Sequence, residues 1–144
     1  MNMRMAQKNL YGEIEKNLVE NNFLGEVPAM GIIALDATSF GSITISGKKY
    51  DHDVYVFWNG TVERRVGDHT VPARQTEYMV KKKPEIIVIG TGQFGIVRVL
   101  SESEKLARKQ NIEVVKARTP QAIGIFNEAM KQGKRVSAII HVTC

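Results

Sequence analysis

The sequence predicts an α/β fold: a mixed β-sheet that opens with an N-terminal β-meander and hairpin, then continues as βαβαβ with helices packed on the sheet. Three observations carry this. Between residues 42 and 66, short alternating or apolar runs are separated by turn residues. From Glu85 onward, apolar runs alternate with amphipathic helical patterns, as in βαβ units. Capping and breaker residues stand at the junctions. With 144 residues, 43% of them hydrophobic and 24% charged, the chain is long enough for one domain with its own core.

The elements follow in order. Over Ala6 to Phe23, Leu10, Ile14 and Leu18 recur every four residues with Tyr11 and Val19 beside them, which predicts an amphipathic helix. Gly25 to Gly31 carries two glycines and a proline and reads as a linker. Residues 1–30 are therefore expected to be a helical extension and linker, and residues 31–144 a single α/β domain. "SITIS" (Ser42 to Ser46) alternates and predicts a strand. "DVYVFW" (Asp53 to Trp58) is apolar on both faces, as in a central strand. Asn59-Gly60 is a hairpin signal, since both residues tolerate positive φ. Thr61 to Val66 returns as a strand nearer the edge. After the polar turn "GDHT", Pro72 stands at a first helical position, and the helix is expected to run through Lys83, stopped by Pro84.

"EIIVIG" (Glu85 to Gly90) predicts a buried strand. Ser101 with Glu104 three residues on forms a capping box for a helix ending near Gln110. "IEVVKA" (Ile112 to Ala117) is the next strand. In the last helix Thr119 caps, Pro120 opens and Gly133 closes, with Ala122, Ile123, Phe126, Ala129 and Met130 as its buried stripe. Arg135 to Val142 is the last strand. The expectation is one mixed sheet, with right-handed crossovers placing both late helices on one face.

Several function classes find no support. No apolar run approaches the roughly 18 residues that span a membrane, and the first residues lack signal-peptide or transit-peptide character, so a cytoplasmic protein is expected. A net charge of +5 is mild, and Tyr55, Phe57 and Trp58 lie in a run too apolar for a base-stacking platform, so nucleic acid is not the expected partner. The single cysteine, Cys144, makes no internal disulfide and reads as an incidental thiol. Asp51 and Asp53 point to one side of a strand start and His52 to the other, so the triplet does not converge on a metal. His69 is expected to be solvated and His141 to face sheet packing or the surface. Asp53, the one candidate for carboxylate chemistry, is expected on the Tyr55 and Phe57 side, serving as a cap or paired with an arginine. No metal and no cofactor is expected.

Gly90, Gly92 and Gly95 spell G-x-G-x-x-G after a strand, the outline of a dinucleotide fingerprint. The context is wrong. The fingerprint needs a helix starting at the second glycine, whereas Ile96, Val97 and Val99 favour extended backbone and the helix signal comes only at Ser101. The second strand ends in Lys116 and Arg118, not in an acidic residue, and no second mononucleotide half is expected after it. The glycines sit instead at a strand's carboxyl end, where open α/β sheets bind ligands. That edge brings Gly90, Thr91 and Gly92 toward Arg118, Thr119 and a helix N-terminus, a candidate anion pocket, with Asn127 two turns into the helix. The same residue types also serve simply as turn formers and caps.

From about Ala37 to Val142 the chain resembles the adipogenesis-associated Mth-type domain family. The resemblance rests on "FGSITI" (Phe40 to Ile45), "YDHD" (Tyr50 to Asp53), Gly90-Thr91-Gly92, "NIEVV" (Asn111 to Val115), the spacing of Thr119, Ala122, Phe126 and Asn127, and "GKRVSA" (Gly133 to Ala138). The resemblance implies a mixed α/β fold with an extra β-hairpin and no established catalytic chemistry. The family includes a mitochondrial complex I assembly factor and uncharacterised prokaryotic proteins. The expected function is therefore a non-catalytic protein-binding or assembly adaptor, engaging a protein partner or a second copy through the N-terminal amphipathic helix. The alternative is a small-anion or nucleotide-like ligand-binding domain, with or without enzymatic activity, at Gly90, Thr91, Gly92, Arg118, Thr119 and Asn127. No catalytic residue is assigned, and the reading leans away from an enzyme.

Overall fold

A computed structural model describes residues 33–144. The helix and linker expected over residues 1–30 lie outside the described residues. Among the described residues, ten strands and three helices run in the order β1 (Leu35–Ser39), β2 (Ser42–Ile45), β3 (Lys48–Tyr50), β4 (Val54–Val56), β5 (Val62–Arg64), β6 (Thr70–Val71), α1 (Ala73–Val80), β7 (Ile86–Thr91), β8 (Arg98–Val99), α2 (Ser101–Lys109), β9 (Glu113–Ala117), α3 (Thr119–Lys131) and β10 (Val136–His141). The mixed sheet has five strands in the order β5-β4-β10-β7-β9. β10 runs parallel to β7 and antiparallel to β4, and β9 runs parallel to β7.

Alternation sorts the side chains of this sheet onto two faces. Val54, Val56, Ile86, Val88, Val136, Ala138 and Ile140 pack with Ala122, Ile123, Phe126 and Ala129 of α3 and with Leu35, Ile43 and Ile45. Tyr55, Phe57, Ile87, Ile89 and Ile139 pack on the other face with Met79 and Val80 of α1 and Ala107 of α2. Phe126 is fully buried, worth roughly 1.5–3 kcal/mol of transfer free energy. The stripe expected for α3 is present, with Met130 at its margin.

The mixed α/β fold is as expected, with four differences in detail. β1, β2 and β3 form a separate antiparallel sheet, so the meander is divided between two sheets. The two late helices lie on opposite faces. Both crossovers keep one hand, but the chain moves outward from β7 to β9 and then back across β7 to β10. Reversing the direction of travel at constant handedness reverses the face. An unexpected two-strand parallel pair, β6 with β8, joins the end of the polar turn at Thr70 to the extended stretch after the glycines. Last, the helix boundaries shift. Pro72 is the N-cap of α1, which ends at Val80, and Lys83 takes φ +54°, because a residue before proline is poorly accommodated in the helical region.

Capping differs too. Leu100 and Arg118, not Ser101 and Thr119, are the N-cap residues of α2 and α3, and neither makes a side-chain cap. Glu104 pairs with Lys116 instead of closing a capping box. Gly133, at φ +77°, follows α3 as expected. In the β4–β5 hairpin only Gly60 takes positive φ, while the Asn59 carboxamide oxygen accepts the Thr61 N–H.

Candidate functional site

Asp53 stands just before β4. Stepping the ladders back from Val54, which faces Arg64 on β5 and Ile140 on β10, puts Arg65 and His141 level with Asp53 on one rung. Their side chains meet there. Arg65 donates to Asp53 Oδ2 at 2.6 Å, the His141 Nδ1 lies 2.7 Å from the same oxygen, and the Val142 N–H donates to Oδ1 at 2.9 Å. The expected arginine partner of Asp53 is therefore Arg65. Its guanidinium is buried and also donates to Gln75 Oε1 and to the carbonyl oxygens of Asp68 and Thr70. A charge taken this far from water requires such a full set of partners.

His141 is buried on the α1 and α2 side of the sheet. The carboxylate paired with Arg65 can only accept, which places a proton on Nδ1; in the neutral ring Nε2 is then the acceptor. The Thr143 hydroxyl lies 2.9 Å from that Nε2. His69 is exposed, and its ring meets the His141 ring edge-on, with centroids 5.4 Å apart. Asp68 beside it accepts from the Thr70 hydroxyl and N–H, and these bonds hold its carboxyl below the usual carboxylate range.

The glycine motif adjoins this cluster. Gly92 takes φ +103°, and a Cβ there would lie 2.2 Å from the Cys144 carbonyl carbon and 2.9 Å from His141 Cδ2. The glycine thus admits the segment after β10. The main chain of residues 93–96 clasps that segment: Gln93 N–H donates to Thr143 O at 2.7 Å and Phe94 N–H to Cys144 O at 2.8 Å. Thr119, fully buried, donates its hydroxyl to His141 O at 2.6 Å and accepts the Gly92 N–H at 3.0 Å. It is a tie between three segments, not a cap.

Of the residues expected at an anion pocket, Gly90, Thr91, Gly92 and Thr119 do come together, but on each other. A Cβ on Gly90 would meet Thr119 Oγ1 at 3.0 Å, and Thr91 Oγ1 donates to Ala117 O. Arg118 is exposed and its stem passes over Gly95, 3.4 Å from where a Cβ would be. Asn127 is elsewhere: its carboxamide accepts the Leu35 N–H at 2.9 Å and donates to Leu35 O at 2.8 Å, fastening β1 to α3. Among the described residues no group of three or more His, Cys, Asp or Glu side chains is placed to hold a metal ion. No helix among them is long and apolar enough to cross a membrane.

Three large apolar side chains are exposed at this end of the sheet. Phe40, Phe94 and Ile96 are 60%, 64% and 51% exposed, and the two rings lie 6.1 Å apart. The loops that carry them are fixed. Gly41 N–H donates to Val142 O at 2.8 Å, and the Gln93 carboxamide donates to Thr38 Oγ1 at 3.0 Å. From the sequence, neither this patch nor His141 as a partner of Asp53 is expected, and an arginine is expected there but not which one. The hairpin register set by Asn59-Gly60 was a sufficient signal for Arg65.

Residues 35–141 match the family model described as a protein of unknown function, DUF498/DUF598. The conserved hypothetical protein PH1505 of Pyrococcus horikoshii has a similar structure, with a TM-score of 0.70 at 31% identity, covering 76% of this chain and 98% of that one. MT938 gives a TM-score of 0.69 at 30% identity, covering 78% and 100%. A Mth938-like domain from Bordetella pertussis shares the fold at 17% identity, with a TM-score of 0.58 over 76% of this chain and 85% of that one. The chain belongs to the DUF498/DUF598 family of Mth-type α/β domains.

Proposed function

We propose that this domain is a protein-docking module whose contact face is the end of the sheet bearing Phe40, Phe94 and Ile96. One observation carries the reading: three large apolar side chains, each more than half exposed, stand together on loops held rigid by hydrogen bonds. Such patches rimmed by polar residues mark interaction sites, and a preformed patch binds without the entropy cost of ordering loops. Arg118 at the rim adds a donor fork for a partner's carboxylate. The expected extension at residues 1–30 supplies a second contact to a partner or another copy.

The test is site-directed photo-crosslinking of the full chain in cells, with the reactive residue at position 94 and, as control, at the exposed Lys109. A discrete adduct from position 94 alone supports docking at this face, whether the captured protein is a second copy or a different polypeptide. The same diffuse pattern from both positions refutes it. Repeating the experiment with residues 1–30 deleted shows whether the extension shares the contact.

A further inference from the structure

We propose that Thr143, His141 and Asp53 form a nucleophilic relay that accepts acyl groups from activated carboxylic esters and thioesters. This goes beyond docking and does not depend on it. The geometry is a continuous chain: Thr143 Oγ1 to His141 Nε2 is 2.9 Å, and His141 Nδ1 to Asp53 Oδ2 is 2.7 Å. A weak hydroxyl nucleophile needs a base within about 2.6–3.2 Å, and the base needs a third group to fix its tautomer. Both conditions are met, with the carboxylate itself held by Arg65 and the Val142 N–H. The ring is nearly sealed from water, while Thr143 is partly exposed and reachable. A short local contact between residues 141 and 143 does not by itself call for a buried carboxylate behind the ring. Asp53 and Arg65 are positioning residues, and Thr143 and His141 are the catalytic ones.

The step balances without a redox partner. His141 Nε2 takes the Thr143 hydroxyl proton as Oγ1 bonds to the acyl carbon. The bond from that carbon to the leaving alkoxide or thiolate breaks, and His141 returns the proton to the leaving group. The products are an O-acyl threonine and an alcohol or thiol. Water then attacks the ester with His141 again as base, releasing the acid and restoring the hydroxyl.

The test uses para-nitrophenyl acetate with the full chain in a Cys144→Ser background, because the thiol would react by itself. The expected result is a nitrophenolate burst approaching one equivalent per chain, with acetyl mapped to Thr143 by peptide mass spectrometry. Thr143→Val should abolish the burst and Thr143→Ser should restore it. His141→Gln should slow it about 100-fold, the usual share of a general base. Thr143→Val is a near-isosteric change at a partly exposed site, so its folding is not at issue. Acetylation confined to lysines, or a burst unchanged in Thr143→Val, overturns the proposal. Labelling of Thr143 at an unchanged rate in His141→Gln overturns the relay.

Discussion

Replacing Asp53 by alanine removes the carboxylate paired with a buried cation. The Arg65 side chain is 0% exposed and that of Asp53 12%. Breaking a buried pair from one side costs about 3–5 kcal/mol, because the remaining charge is stranded. Arg65 keeps three neutral acceptors, on Gln75, Asp68 and Thr70. They soften the loss, while His141 Nδ1 and Val142 N–H lose theirs. The expected destabilisation is about 3 kcal/mol, at the lower end of that range. At about 4 °C per kcal/mol for a domain of this size, the melting midpoint should fall by about 12 °C. Urea titration and calorimetry measure both. The double variant Asp53→Ala with Arg65→Met should be more stable than Asp53→Ala alone, since an apolar replacement of a buried pair is often neutral. A loss below about 1 kcal/mol, the range of surface pairs, would refute the stranded-charge reasoning. So would single-variant losses that add within about 0.5 kcal/mol in the double variant.

Gly92→Ala combines a positive φ with a Cβ driven against the Cys144 carbonyl, so it should cost more than about 3 kcal/mol in urea titration; Gly60→Ala, with nothing within 4 Å, should cost about 1–2 kcal/mol. Thr119→Val should cost about 1–3 kcal/mol and specifically accelerate hydrogen exchange at the Gly92 amide, which a mere capping role would leave protected. The Tyr78 hydroxyl donates to Glu63 Oε1, which raises the tyrosine pKa by favouring the protonated form. Glu63→Gln removes the negative acceptor, so the Tyr78 phenolate should appear at lower pH in an ultraviolet titration of the variant.

The sequence was most informative where one local signal decided the outcome. The apolar run at Glu85 to Gly90 could only be a covered strand, and the Ala122, Ile123, Phe126 and Ala129 stripe could only be a helix face. It was least informative where the outcome depended on strand order. Nothing local says that β10 inserts between β4 and β7, and that insertion reverses the second crossover, moves one helix to the other face and puts His141 beside Asp53. Thr119 shows the same limit. Its position before a helix fits a cap, but Gly92 and His141 arrive from distant segments and claim the hydroxyl. For Asn127, spacing gave the helix and hid the partner, because β1 lies 92 residues earlier.

The place of β10 has a bearing on synthesis. Until residues 136–141 have been made, β5-β4 and β7-β9 are two disconnected ribbons, each with one unpaired edge toward the missing strand. Chains emerge from the ribosome N-terminus first, and unpaired edges with bare apolar surface are what aggregate. The five-stranded sheet can therefore close only once this strand is available. A nascent chain stalled before that strand is one that holdase chaperones would be expected to retain.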